Sequence, residues 1–394
     1  MKSTVSDRCL SIAPSATLAV SARADAMKKA GIDVIDLSVG EPDFATPAPI
    51  CTAAKQALDM GLTRYTPAAG SAELRRAVCR KLLRENGLAY EPEDVVICSG
   101  AKHALYNVCA ALINPGDEVL LPAPYWVSYG EMIRLCGGVP VIIDGRAKDD
   151  FIVSAEAMRR FVTPRTKAIL INSPGNPGGG VMGRDGLAGI ARLAEEKDLT
   201  ILSDEIYEKL IYDGARHISI ASLSADAKSR TVVVNGVSKS HAMTGWRIGY
   251  AAGPRDVMRA VAAFQSHTCG APNTMAQHAA ITALDAGDTD TRTMRDAFDA
   301  RRRAMWEGIN AIPGLSCRMP GGAFYMMVNV EALLGRGVGS PADFAAQLLE
   351  RAHVAVVPGE AFGDEKHVRI SFAVDIGRIR EATDRISRFV GALC

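Results

Sequence analysis

The chain is short of several things that would point elsewhere. No apolar run reaches the roughly 18 residues that a membrane-spanning helix requires. Neither sign of charge prevails: 45 Lys and Arg stand against 44 Asp and Glu, a formal charge of +1. Nothing in that balance draws nucleic acid or an anionic membrane surface, so the expected partners are small molecules. The nine cysteines include no C-x-x-C pair and no Cys/His cluster at zinc spacing, which argues against a disulfide framework or a metal site. Free thiols in that number suit a reducing cytoplasm, and Met1-Lys2-Ser3 leads into polar residues with no secretory h-region. Internal repeats and low-complexity tracts are also missing.

What remains is an ordinary globular composition, 48% hydrophobic over 394 residues, enough for two domains sharing a substantial core. From about residue 94 to 253, short apolar runs alternate with amphipathic stretches, the pattern of a parallel sheet covered by helices. The strand candidates are Val95–Cys98, Glu118–Leu121, Pro140–Ile143, Ala168–Ile171, Thr200–Leu202, Thr231–Val234 and Ile248–Ala251. His103–Leu112, Leu187–Lys197 and Asp256–Gln265 read as covering helices. Beyond residue 290 the composition shifts. Arg292–Asn310 reads as a charged helix, Ala323–Val330, Val354–Val357 and Val368–Phe372 as strands, and Ile379–Leu393 as a closing helix. The expected division is an N-terminal segment, 1–45, joining a smaller α+β domain over 289–394, with a large domain over 46–288.

In open α/β sheets ligands bind at the carboxyl ends of the strands, and here those ends carry unusual polar groups. Lys239 follows the run Thr231–Val234 among small and hydroxyl residues, where a lysine can form a Schiff base with an aldehyde such as pyridoxal phosphate. Arg247, eight residues on, suits a phosphate. Ser99-Gly100-Ala101-Lys102 opens a helix whose backbone N–H groups suit an anion. Trp126 follows two prolines and offers a ring to stack on a planar cofactor. Asn176 sits in a rigid Pro/Gly turn. Asp204 emerges from an apolar strand and needs a cation, which a protonated pyridine nitrogen would supply; Tyr207 lies one turn on, within reach of a ring hydroxyl. Each residue alone has a plainer reading, as a surface lysine, a cap, a turn or a core tryptophan. Together, at successive strand ends, they describe one site.

Assembled, these residues resemble a class I aminotransferase of the pyridoxal-phosphate type I fold, most similar to the bacterial aspartate aminotransferase branch that includes prephenate-using enzymes. The resemblance runs from Pro14-Ser15-Ala16-Thr17 to Phe389. It rests on Ser38-Val39-Gly40-Glu41-Pro42-Asp43-Phe44, Tyr65-Thr66-Pro67-Ala68-Ala69-Gly70, Pro124-Tyr125-Trp126-Val127-Ser128-Tyr129, Ser203-Asp204-Glu205-Ile206-Tyr207 and the lysine segment. It implies a mostly parallel seven-stranded sheet covered by helices, a smaller α+β domain, and a homodimer with shared active sites. It implies Lys239 as the Schiff-base lysine and proton shuttle, Asp204 facing the pyridine nitrogen, Asn176 and Tyr207 at the ring oxygen, and Trp126 stacked on the ring. Gly100, Ala101, Lys102, Ser238 and Arg247 would surround the phosphate, with Tyr65 reaching in from a second subunit. Arg369 would clamp the substrate α-carboxylate, with the Gly40 backbone closing over it and Trp126 and Asn176 beside it.

Two departures bear on substrate. Asn176-Pro177-Gly178-Gly179 lacks the family's threonine, so a looser loop with intact chemistry is expected. Ala13 stands where prephenate-using members carry a basic residue, which counts against prephenate. Lys102 is kept, and in this branch it is associated with the distal carboxylate of aspartate or glutamate. His267 lies in a stretch that departs from the family and is a candidate to face the site, a core or loop position being the plainer alternative. The expectation is a cytoplasmic transaminase working by ping-pong between pyridoxal and pyridoxamine forms, with aspartate as donor and 2-oxoglutarate as acceptor. Broader specificity toward aromatic amino acids, alanine, or prephenate/arogenate is the nearest alternative, and a lyase of the same fold a more distant one. A catalytically silent regulator is disfavoured by Lys239 and Asp204 and by the lack of room for a DNA-binding domain before Ser38.

Overall fold

The seven apolar runs of the first 253 residues form one sheet in the computed structural model, which describes residues 4–145 and 150–393. Residues 1–3, part of the N-terminal reading above, lie outside the described residues. The strands are β1 (Val95–Cys98), β2 (Glu118–Ala123), β3 (Val139–Asp144), β4 (Thr166–Asn172), β5 (Thr200–Asp204), β6 (Thr231–Gly236) and β7 (Gly249–Ala252). Their order across the sheet is β1-β7-β6-β5-β4-β2-β3. Neighbours from β3 to β6 are parallel, while β7 runs antiparallel to both β6 and β1. β1, β6 and β7 are buried along their whole length, so they read as continuous apolar runs rather than alternating ones. Pro140 is confined to β3 at the sheet edge, where its missing N–H is harmless.

Helices cover both faces. Arg184–Glu196 buries Leu187, Ile190, Ala191, Leu193 and Ala194 at i, i+3, i+4 spacing. Ala101–Leu112 begins directly after β1, with Gly100 at its N-cap in a left-handed conformation (φ 88°). Two sequence expectations shift here. β2 continues through Pro122-Ala123, because the chain stays in register with Ile143 and Asp144 of the edge strand. The lysine segment is a run of turns rather than a simple strand end, and Ala242 and Arg247 adopt positive φ (50° and 57°) within it.

A second sheet comprises β8 (Ser316–Cys317), β9 (Tyr325–Asn329), β10 (Val357–Pro358) and β11 (His367–Ser371), antiparallel in the order β10-β11-β9-β8. The single strand expected over Val354–Val357 is two pieces. Val354–Ala355 pairs in parallel with Ile35–Asp36, whereas Val357–Pro358 joins β11. All four residues from 354 to 357 are buried, so no periodicity marked the break. The pairing with Ile35–Asp36, extended by Ser371 N–H donating to Leu37 O, lays the following segment, Ser38–Glu41, against β11.

The eight cysteines among the described residues are all free. No helix among the described residues is long and apolar enough to cross a membrane.

Candidate active site

One cavity of about 440 Å³ opens at the carboxyl ends of β4, β5 and β6, closed on its far side by the second sheet. Gly40, Ala101, Lys102, Trp126, Asn176, Asp204, Tyr207, Ser238, Lys239, Arg247 and Arg369 all line it. Eleven residues named from scattered stretches of sequence thus share one space.

Asp204, the last residue of β5, lies at the cavity floor and is buried. Its Oδ2 accepts from Tyr129 Oη at 2.6 Å and its Oδ1 from the Ile206 N–H at 3.2 Å. Neither partner is a cation. Burial pushes its carboxyl up to about 6, against the pull of those two donors. It is therefore mostly ionised at neutral pH, with Lys239 acting on it across the cavity but no cation in direct contact among the described residues.

Lys239 points into the cavity, its Nζ donating to Gly40 O and standing 5.7 Å from the centre of the Phe324 ring. Burial lowers its ammonium to about 8, with Arg247 and Arg369 adding repulsion while Glu41 and Asp204 oppose the shift. About a tenth is neutral at pH 7, far more than for a solvated lysine.

At one end Arg247 lies against the start of the helix Ala101–Leu112, donating to Thr244 O at 2.8 Å and Ser99 O at 3.3 Å. A Cβ on Gly100 would collide with the Arg247 guanidinium, so glycine is needed both for backbone conformation and for this approach. Guanidinium and helix N-terminus together form an anion cradle, and Ser238 lines the same end. Lys102 stands over the Trp126 ring, 4.8 Å from its centre, and burial followed by repulsion from Arg247 lowers its ammonium.

At the other end Arg369, on β11, is wholly buried. Its Nη1 donates to Asn176 Oδ1 at 3.1 Å and its Nη2 to Ser38 O at 2.7 Å. Nε has no partner, and burial lowers the guanidinium's pKa. Such a group is suited to a carboxylate.

Two of the named residues lie outside the cavity of the single chain. His267 is exposed near the end of the helix Arg255–Thr268 and does not line the cavity; the helix turns that side chain to its outer face while Gln265 points inward. Tyr65 is fully exposed and also outside the cavity. Other residues were missed. Ser15, Thr17, Leu18 and Ser21 bring the N-terminal helix Ala16–Lys29 across the mouth. Tyr129 and Tyr325 reach the interior. Tyr129 closes the motif beginning at Pro124, which was the available signal. For Tyr325 there was none, because its place depends on the pairing of β9 with β11.

The cavity fits a phosphorylated pyridine aldehyde by its own chemistry: a buried carboxylate in contact with no cation, an anion cradle kept open by Gly100, and a lysine partly neutral at pH 7.

With this geometry in place, comparison with known proteins is informative. The pattern of the family described as aminotransferase class I and II matches residues 32–386. An aspartate aminotransferase of Bacillus sp. strain YM-2 is 46% identical, the match covering 99% of this chain and all of that one. The aspartate/prephenate aminotransferase of Thermus thermophilus is 43% identical over 98% of this chain and 99% of its own. The solved Thermus thermophilus aspartate aminotransferase with maleate superposes with a TM-score of 0.93 at 43% identity, covering 98% of this chain and all of that one. The Rhizobium meliloti aspartate aminotransferase gives 0.94 at 40% identity, covering 99% of each chain.

Proposed function

The chain belongs to the class I and II aminotransferases, and from that premise we propose that it transfers the amino group of L-aspartate to 2-oxoglutarate, using pyridoxal 5′-phosphate. The observation that carries this reading is the lysine whose ammonium is lowered to about 8 in the same cavity as a buried aspartate in contact with no cation and a buried arginine.

Ala101, Ser238 and Arg247 would hold the phosphate, with Gly100 leaving the space. Trp126 would lie against the ring, Asn176 and Tyr207 at its oxygen, and Asp204 at its nitrogen. The cofactor, when bound, supplies an electron sink and a carbon that carries the amino group between substrates. The rest is done by the chain. Arg369 fixes the α-carboxylate, which sets the substrate Cα within the reach of one base. Lys239 Nζ, poised near neutrality, takes the proton from that Cα and returns it on the opposite path. Asp204, kept ionised, holds a proton on the ring nitrogen. Glu41 and the N-terminal helix narrow the mouth against water. Lys102 is the candidate for the distal carboxylate of aspartate, since it sits in the cavity without a carboxylate partner of its own among the described residues.

Leu58, Met60 and Tyr65 are exposed close together in sequence, which supports a homodimer in which Tyr65 serves the neighbouring site. Ala13 counts against prephenate as an acceptor, and Lys102 favours a dicarboxylic donor over an aromatic one. The experiment is direct. Purified protein loaded with pyridoxal phosphate shows a visible absorbance that aspartate discharges and 2-oxoglutarate restores, and Lys239→Ala removes both the band and turnover. Turnover retained in Lys239→Ala rejects the proposal; a donor panel led by phenylalanine or alanine corrects the substrate.

A further inference from the structure

Tyr325 is buried, opens β9, and has no part in the chemistry described so far. Two cavity residues with separate duties both touch it. Its Oη lies 3.0 Å from Tyr207 Oη. Its ring lies against Arg369, whose Cζ is 4.4 Å from the ring centre, with Phe362 at 5.0 Å from the same guanidinium carbon.

The pairing of the second sheet explains this placement. Arg369 stands opposite Met327, so Tyr325, two residues before Met327, is its diagonal neighbour on the same face. The chain enters β9 through Ala323, at φ 59°, a conformation L-residues seldom adopt. It is pinned there by Ala323 N–H donating to Leu210 O at 2.9 Å and by Tyr212 Oη donating to Ala323 O at 2.5 Å. Above the hydroxyl, a Cβ on Gly40 would come within 2.9 Å of Tyr325 Oη. Glycine at 40 leaves the room the hydroxyl needs, beneath the carbonyl that accepts from Lys239. A phenylalanine would fill the same core and leave that room empty.

We propose that Tyr325 is a positioning residue coupling the two halves of the site: its hydroxyl donates to Tyr207 Oη, directing the Tyr207 proton at the cofactor ring oxygen, while its ring is the platform that aims Arg369 at the α-carboxylate. The inference rests on the reading above, that this cavity takes pyridoxal phosphate and an amino acid. Tyr207 has a single proton. If it donated to Tyr325 it would have none for the ring, so the shared hydrogen bond serves the site only with Tyr325 as donor. Arg369 is buried with an unpartnered Nε, and beside the acceptors Asn176 Oδ1 and Ser38 O the fold gives it two aromatic faces.

The hydroxyl and the ring are separable by mutation. In the loaded enzyme, Tyr325→Phe should move the pH midpoint of the visible absorbance upward by about half a unit, in the same direction as Tyr207→Phe but less. Its affinity for succinate, an unreactive C4 dicarboxylate, should stay within about twofold of wild type. Tyr325→Leu should weaken succinate about tenfold, read by calorimetry on both the loaded and the cofactor-free protein. An unmoved absorbance midpoint in Tyr325→Phe, where Tyr207→Phe does shift it, overturns the hydroxyl role. Full succinate affinity in Tyr325→Leu overturns the ring role. Should Tyr325→Leu not fold, Tyr325→Phe alone still decides the hydroxyl claim, and Tyr325→Trp, which keeps an aromatic face, tests the platform by retaining succinate affinity or losing it. If Lys239→Ala leaves the visible band intact, the underlying reading fails instead, a result distinct from any of these.

Discussion

Asp204 and Glu205 are neighbours in sequence, both buried, and their surroundings are opposite. Glu205 belongs to a closed network: its Oε1 accepts from Ser203 at 3.0 Å and Ser219 at 2.7 Å, and its Oε2 lies 2.9 Å from His217 Nε2. Glu208, beside it, meets the Lys81 ammonium and accepts from Asn86 at 2.9 Å. Burial pushes Glu208 up, yet Lys81 and His217 override it and hold the carboxyl at about 2. Asp204 has donors but no cation and sits at about 6. The same strand end thus presents one set of buried charges that the fold has completed and one that it has left open. The completed set holds elements together; the open one is what a cationic group brought by a ligand would complete. Although Glu205, Glu208 and His217 lie close enough to hold a metal, Lys81 already occupies the charge balance there.

The contrast breaks most severely at Asp204. Asp204→Asn cannot hold a proton on a ring nitrogen, and kcat/KM for aspartate should fall about a thousandfold, roughly 4 kcal/mol. The cofactor-free protein should not be destabilised above pH 6. The native pKa of Asp204 lies above its unfolded value of 3.8, so its contribution is favourable at low pH and is lost as pH rises from about 4 to 6. The difference between wild type and Asp204→Asn should therefore tilt by about 3 kcal/mol across that window, in urea titrations at one protein concentration. A mutant as fragile as one in the closed network would erase the distinction.

Glu208 gives the converse, smaller in turnover and large in stability. Glu208→Ala leaves Lys81 buried without its partner and should cost about 3 kcal/mol of unfolding free energy. Because the native pKa of Glu208 is lowered, its stabilisation is present above about pH 4.5 and is lost as pH falls toward 2, the reverse of Asp204. The visible band of whatever folds should be unchanged. A band shifted as far as in Asp204→Asn would show the two clusters to be one.

Which parts were legible in the sequence follows from the same physics. Lys239, Asp204, Asn176 and Trp126 each stand where an apolar run stops, and Arg247 and Arg369 beside such runs. A polar group at the end of a buried strand is conspicuous in one dimension. The seven strands of the large sheet were readable because they are continuous apolar runs of ordinary strand length. Tyr325 was not legible as a site residue and Tyr129 only as the end of the motif beginning at Pro124, since a tyrosine on a helix or in a strand looks like core, and only the packing of distant segments brings its hydroxyl to Asp204 or Tyr207. Thr17 and Leu18 enter through the N-terminal helix, whose docking depends on the pairing of Ile35–Asp36 with Val354–Ala355. His267 was only a candidate, with a core or loop position the plainer alternative, and it stands exposed on a helix outside the cavity. Departure from a family pattern says nothing about which way a helix turns a side chain.

The finest cut within the comparison is one hydrogen bond at Tyr129. The ring of Tyr129 packs edge-on to Trp126, 5.3 Å between centres, so phenylalanine fills the same space and removes only the 2.6 Å donation to Asp204 Oδ2. That donation favours the charged carboxylate, working against burial, and such a bond contributes on the order of 1.5 kcal/mol, equivalent to about one pKa unit. Tyr129→Phe should therefore raise the Asp204 pKa further, by about one unit. In the cofactor-free protein the tilt in stability then extends upward, from the window between pH 4 and 6 to one reaching about 7. In the loaded protein, cofactor affinity at pH 7 should fall about twofold and recover by pH 8.5, where Asp204 is ionised again. A loss of affinity independent of pH would mean that Tyr129 supports the cavity wall alone, and that Asp204 keeps its charge by some other means.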